Sequence, residues 1–143
     1  MSDLNRSDTE SFCSELLGAF QGMLSWGWDS RFQTVLAQFG ADSEDFVRET
    51  LEGHFSFTWK TSNIEQSSGA VGMINSHLGG LREGQLLFTS EPSQGVFIFC
   101  AWWPWGDGKT ISIRVAPFYS MLSESEMAEL INQLKHWFGI LES

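Results

Sequence analysis

The chain has 143 residues, of which 42% are hydrophobic, 14% aromatic and 18% charged, and its formal net charge at pH 7 is −10. That length fits one domain spanning residues 1–143, able to bury about 70% of the surface its unfolded chain exposes, so no disulfide or metal staple is needed. Seven Trp and twelve Phe exclude a disordered chain, and the acidity argues against nucleic acid as a partner, since the field repels phosphate backbones.

The first residues, Met1 to Glu10, are polar and acidic, with neither the basic nor the apolar region of a signal peptide. The longest apolar stretch, Val96 to Trp105, falls far short of the roughly 20 residues a membrane-spanning helix needs. The expectation is a cytoplasmic protein without a membrane partner.

Ser7, followed three residues later by Glu10, has the form of a capping box, so a first helix is expected from Ser7. Phe12, Leu16, Ala19, Phe20 and Met23 recur at helical spacing and give it an apolar stripe. Trp26-Gly27-Trp28 reads as a turn or irregular link. A second helix is expected over Ser30–Phe39, capped by Asp29 or Ser30, with Phe32, Val35, Leu36 and Phe39 inward and Gly40 at its end. A third runs from Ser43 to Glu52. Asp42 is a suitable cap, Glu44 and Asp45 favour the positive end of the helix dipole, Phe46, Val47, Thr50 and Leu51 face inward, and Gly53 stops it.

The period then changes from helical to alternating. Phe55 to Lys60 alternates apolar and polar residues, the pattern of a strand with one buried face. A helix over Glu65–Leu78 carries Ala70, Val71, Ile74 and Leu78 as its stripe, and Gly79-Gly80 ends it. Its two internal glycines, Gly69 and Gly72, cost about 1 kcal/mol each relative to Ala. Three strands follow: Gln85–Ser90, then Val96–Trp103 after a turn-rich connection at Glu91–Gly95, then Lys109–Ala116 after the loop Pro104–Gly108. Pro117 is expected to break the last ladder. A final helix starts at Ser123, whose spacing to Glu126 is again a capping box; Met127, Leu130, Ile131, Leu134 and Trp137 form its stripe, and Gly139 ends it. The expected architecture is α+β: an antiparallel sheet of about four strands, with the N-terminal helices and the C-terminal helix packed on it.

No pattern in the sequence carries recognisable catalysis. Gly79-Gly80-Leu81-Arg82-Glu83-Gly84 lacks the Gly-Lys-Ser/Thr of a phosphate loop and follows a helix rather than a strand. His54, His77 and His136 lie on three separate elements without metal-ligand spacing, so no metal or cofactor is expected. His77 on a helix and Asp107 in a loop are a His–carboxylate pair that folding could bring together. No Gly-x-Ser-x-Gly elbow is present. Cys13 and Cys100 fit no redox or metal spacing. They read as buried thiols, with a disulfide between them as the alternative.

The charge and the tryptophans point to binding instead. Residues 1–53 carry ten acids and three bases (−7), residues 54–121 four of each, and residues 122–143 four acids and one base (−3). Acid on the terminal helical parts keeps a protein in solution and would also steer a basic partner. Trp102 and Trp103 are adjacent on a strand and must point to opposite faces; both are expected inside the domain. Trp105 lies in a loop flanked by glycine, where its own domain seldom covers a side chain. Trp59, Lys60 and Arg114 would add a polar rim.

The leading expectation is a non-catalytic protein-binding module: an inhibitor, immunity protein or chaperone for a basic protein partner, with a homodimer left open. Asp42, Glu44, Asp45, Glu49 and Glu52 would steer, and Trp105, with Trp102 and Trp103, would anchor. The chain is similar in size and charge to bacterial toxin-immunity proteins and secretion chaperones, a likeness that covers no motif. The rival expectation is a small-molecule binder or enzyme whose pocket gathers Trp59, Trp102 or Trp105 with His77 or Arg114.

Overall fold

The computed structural model describes residues 3–67, 69–90, 96–119 and 123–140. In chain order these form α1 (Asp3–Ala19), β1 (Gly27–Asp29), β2 (Thr34–Gly40), α2 (Glu44–His54), β3 (Phe57–Trp59), α3 (Gly69–His77), β4 (Leu86–Thr89), β5 (Val96–Pro104), β6 (Thr110–Tyr119) and α4 (Glu124–Trp137). Short 3-10 turns at Ala41–Ser43 and Ile64–Gln66 precede α2 and α3. The expected mixture of helices and antiparallel sheet is present, but the sheet has six strands rather than about four, in the order β1-β2-β6-β5-β4-β3. Every neighbouring pair is antiparallel.

The two additional strands come from one misread segment. The helix expected over Ser30–Phe39 is a hairpin strand, and the link at Trp26–Trp28 overlaps its partner. Val35, Ala37 and Phe39 fit a period of two as well as Val35, Leu36 and Phe39 fit a helix, and the β-branched pair Thr34-Val35 favours the pleat. The turn that precedes β2 is held by its own hydrogen bonds. Asp29 Oδ1 accepts from the Arg31 N–H (2.9 Å), and Gln33 Nε2 donates to the Ser30 carbonyl (3.1 Å). Gln33 takes φ 58°, and among the described residues no other non-glycine has positive φ. The reversal places Trp28 opposite Val35 and delivers β2 to β6, where Val35, Ala37 and Phe39 face Val115, Ile113 and Ile111.

Other boundaries shift for local reasons. α1 begins at Asp3, so Ser7 lies inside the helix rather than at its start; no Gly or Pro interrupts the preceding residues. Asp42 sits in the 3-10 turn and caps nothing in α2, whose N-cap Ser43 has no side-chain bond, and α2 passes Gly53 to end at His54. Phe46, expected inward, is exposed, while Val47 and Leu51 are fully buried. The helix expected over Glu65–Leu78 is split into the Ile64–Gln66 turn and α3, with Val71 and Ile74 buried as expected. Pro117 does not break β6: it pairs across from Ile98, and β2 pairing has already ended at Val35↔Val115. The flank of β6 beyond Val115 is therefore an edge, where a missing N–H is tolerated. The α4 capping box forms as expected, the Glu126 N–H donating to Ser123 Oγ (3.2 Å) and the Ser123 N–H to Glu126 Oε1 (3.0 Å). The connection expected at Glu91–Gly95 lies outside the described residues.

The register assigns each side chain to a face. Val35, Ala37, Phe39, Ile111, Ile113, Val115, Cys100, Trp102, Leu86 and Phe88 share one face. α1 packs on that side against β5 and α4; Phe55 meets the sheet at Phe88 (6.1 Å), and within the sheet Phe88 (6.2 Å) and Phe39 (5.5 Å) flank Trp102. Leu16, Phe20, Val47, Leu51, Leu134 and Phe138 complete this core. The opposite face carries Leu87, Ala101, Trp103, Ser112 and Arg114, and the end of α3 lies against it at Leu87, Ala101 and Trp103. β4 is covered on both sides, and its four residues are all buried. Cys13 and Cys100 are both free and buried.

Candidate functional site

Among the described residues, the tryptophan pair divides between two of the open clefts at the sheet. Trp102, pointing into the core face, is 2% exposed. Trp103 points the other way and is half-buried. Trp102, with Leu86 and Ile111, forms the floor of a groove of about 350 Å³ at the end of the sheet; Glu44 and Arg48 of α2, Lys60 and Trp105 rise at its sides.

Trp105 stands on a tied turn. Its N–H donates to the Thr110 carbonyl (2.8 Å), and the Ala41 N–H donates to the Lys109 carbonyl (2.7 Å), joining the turn to the segment before α2. Asp107 Oδ1 accepts from the N–H groups of Lys109 (2.8 Å) and Thr110 (3.0 Å), and its Oδ2 from the Thr110 hydroxyl (3.1 Å). These bonds, led by that of Lys109, hold the Asp107 carboxyl below the usual carboxylate range. Gly108 takes φ 69°, which glycine adopts without strain. The turn is thus ordered by its own hydrogen bonds while Trp105 remains 45% exposed.

The structure brings Trp105, Trp102 and Glu44 into one groove. Asp42, Asp45, Glu49 and Glu52 lie exposed on the neighbouring turn and helix. Glu52 pairs with Arg48 at 3.3 Å across one helical turn, an exposed pair worth about 0–1 kcal/mol. Trp103 does not join this group. The expected rim of Trp59, Lys60 and Arg114 is also divided: Trp59 Nε1 donates to the Thr89 hydroxyl (3.0 Å) and its ring stacks on Phe57, Lys60 lines the Trp105 groove, and Arg114 lies in the second cleft. His77 and Asp107 do not pair; the His77 ring packs edge-on to Phe32 at 6.2 Å.

The second cleft, about 460 Å³, lies between the β1–β2 turn and the end of α3, with Arg31, Arg82 and Arg114 on its walls beside Asp29 and Trp103. Arg114 Nε donates to Asp29 Oδ2 at 2.6 Å and Nη1 to Ser112 Oγ at 2.9 Å. Its guanidinium lies 4.3 Å over the Trp103 ring. Burial pushes the Asp29 carboxyl up, but the Arg114 hydrogen bond and charge, with the N–H groups of Arg31 and Phe32, outweigh it and hold Asp29 below its ordinary value.

Sequence reasoning missed this cluster because its arginines come from three segments, and the middle of the chain sums to zero charge. One signal was legible: Ile111-Ser112-Ile113-Arg114-Val115 alternates, which sets Arg114 with Ser112 on the face opposite Ile113 and Val115. Elsewhere, the described residues include no cluster of His, Cys, Asp or Glu able to hold a metal ion, and no helix among them is long and apolar enough to cross a membrane. No family model, curated protein or solved structure matches the chain.

Proposed function

We propose that this chain is a protein-binding module for a basic partner, of the inhibitor, immunity-protein or chaperone kind, acting through the Trp105 groove and the acidic face of α2. One observation carries the reading: Trp105 is held half-exposed on a hydrogen-bonded turn and lines the same open groove as Glu44. An aromatic side chain presented this way loses little conformational freedom on binding, and Trp is the residue most enriched among interface anchors. Asp42, Asp45 and Glu49 are exposed beside it and add an attractive field for a cationic surface.

The groove is open rather than enclosed, and it gathers Trp102 and Trp105 with Arg48 and Lys60, not with His77 or Arg114. The exposed Trp105 at its side favours a side chain or loop of a protein as the occupant. The test uses wild type and Trp105→Ala as paired baits in the native host, followed by binding kinetics with the purified captured protein. Trp105→Ala is expected to weaken binding about 30-fold through faster dissociation, the equivalent of about 2 kcal/mol. Reversing charge at Glu44 and Asp45 should instead slow association, by a factor that shrinks as salt rises. An acidic partner, or a partner bound equally by all three proteins, refutes the reading. Self-association through this face would show as a concentration-dependent mass abolished by Trp105→Ala.

A further inference from the structure

We propose that the cleft between the β1–β2 turn and the end of α3 binds a small ligand through a phosphate monoester group. It is a separate site, on the opposite face of the sheet from the Trp102 floor of the other groove, and stands independently of the function above. Three of the eight Lys and Arg residues of the chain line it, against one acid, Asp29, a local balance of +2 in a protein of net charge −10.

The three arginines have different tasks. Arg114 is the fixed one: Asp29 and Ser112 hold two of its donors and Trp103 supports its plane. A guanidinium has five N–H donors in a rigid fork, so Arg114 keeps others to offer. It also neutralises Asp29, leaving the charges of Arg31 and Arg82 uncompensated within the cleft. Neither makes an ion pair among the described residues. The Arg31 guanidinium lies 4.9 Å over the Phe32 ring, and Phe32 is braced edge-on against Trp103 at 5.3 Å. Stacked arginine lies in a limited set of positions before any ligand arrives, which reduces the entropy lost on binding.

A monoester carries a charge of about −1.5 to −2 at pH 7 and presents three acceptor oxygens, matching two unpaired guanidiniums and the spare donors of a third. A singly charged carboxylate would leave one arginine unpaired. The volume of about 460 Å³ suits a small ligand, within the usual range of roughly 300–1,000 Å³. The acidic helices do not forbid this: at physiological ionic strength charges beyond about 8 Å are largely screened, so local charge governs a small ligand, whereas a long polyanion meets the field of the whole protein.

Calorimetric titration with phenyl phosphate, and with a neutral peptide containing one phosphoserine, tests the proposal. Wild type should bind with one-to-one saturation. Arg31→Gln and Arg82→Gln, both at exposed positions and so not expected to disturb folding, should each weaken binding about tenfold, and the double variant about a hundredfold. Arg48→Gln/Lys60→Gln, in the other groove, should bind like wild type. Equal affinity for the two probes assigns the site to a small-molecule monoester; tighter peptide binding assigns it to a phosphorylated protein segment. Absence of saturation with both probes, full binding by Arg31→Gln/Arg82→Gln, or loss in Arg48→Gln/Lys60→Gln overturns it.

Discussion

Replacing Asp29 by Asn removes one charge from the Asp29–Arg114 pair while leaving size and an oxygen acceptor in place. The pair is short, 2.6 Å from Nε to Oδ2, and its side chains are 12% and 17% exposed. Two charges at about 4 Å in an effective dielectric near 20 attract by roughly 4 kcal/mol, and desolvating both ions cancels much of that. What the variant loses is compensation. Arg114 stays on Trp103 with its charge unmatched, a change that costs about 3–5 kcal/mol for a fully buried pair. Water reaches this one, so a loss of about 2 kcal/mol is expected, or roughly 6 °C in Tm for a chain of this size.

Urea denaturation across pH supplies the check. The Asp29 carboxyl titrates below its unfolded value in the folded chain, so its contribution is complete above the unfolded pKa of about 3.9 and is lost as pH falls through the folded one. Wild type and Asp29→Asn should therefore differ by a constant amount from pH 7 to about 5 and converge below about 4. A difference under about 0.5 kcal/mol at pH 7, the size of an ordinary surface substitution, would refute the role given to the pair. So would a difference that survives to low pH, because it would have to come from shape rather than charge.

Ser123→Ala removes the acceptor for the Glu126 N–H at the start of α4 and should cost about 1 kcal/mol in urea denaturation, without altering ligand or partner binding. Burial pushes the Cys13 thiol up to about 12 and raises that of Cys100 further. Neither should react with a thiol-specific reagent at pH 8 in the native state, both should react after denaturation, and rapid native labelling of either would contradict the burial.

How much of the site was legible follows from which residues act alone. Trp105 was readable as an exposed side chain because a turn between two strands, with glycine on its far side, has no neighbour to cover it. The opposite directions of Trp102 and Trp103 follow from pleat geometry for any strand. The arginine cleft was not readable: Arg114 and Asp29 stand 85 residues apart, and only the pairing of β2 with both β1 and β6 sets them on one face. Trp59 and Arg114, expected on neighbouring strands, are separated because β4 and β5 stand between β3 and β6.

By itself the sequence determined the α+β class, the cap of α4, the burial of Val47 and Leu51 in α2 and of Val71 and Ile74 in α3, and the strands β4 to β6, because each rests on local hydrogen bonding or on a periodicity that only one structure satisfies. Residues 30–39 satisfied two. Their apolar positions fit a helix and a strand alike, and the choice fell to the β6 edge, where Ile111, Ile113 and Val115 bury Val35, Ala37 and Phe39. Burial of an apolar side chain yields about 1.5–3 kcal/mol, whereas the preference of one residue for helix or strand amounts to less than about 1 kcal/mol, so the tertiary contact overrides the local one.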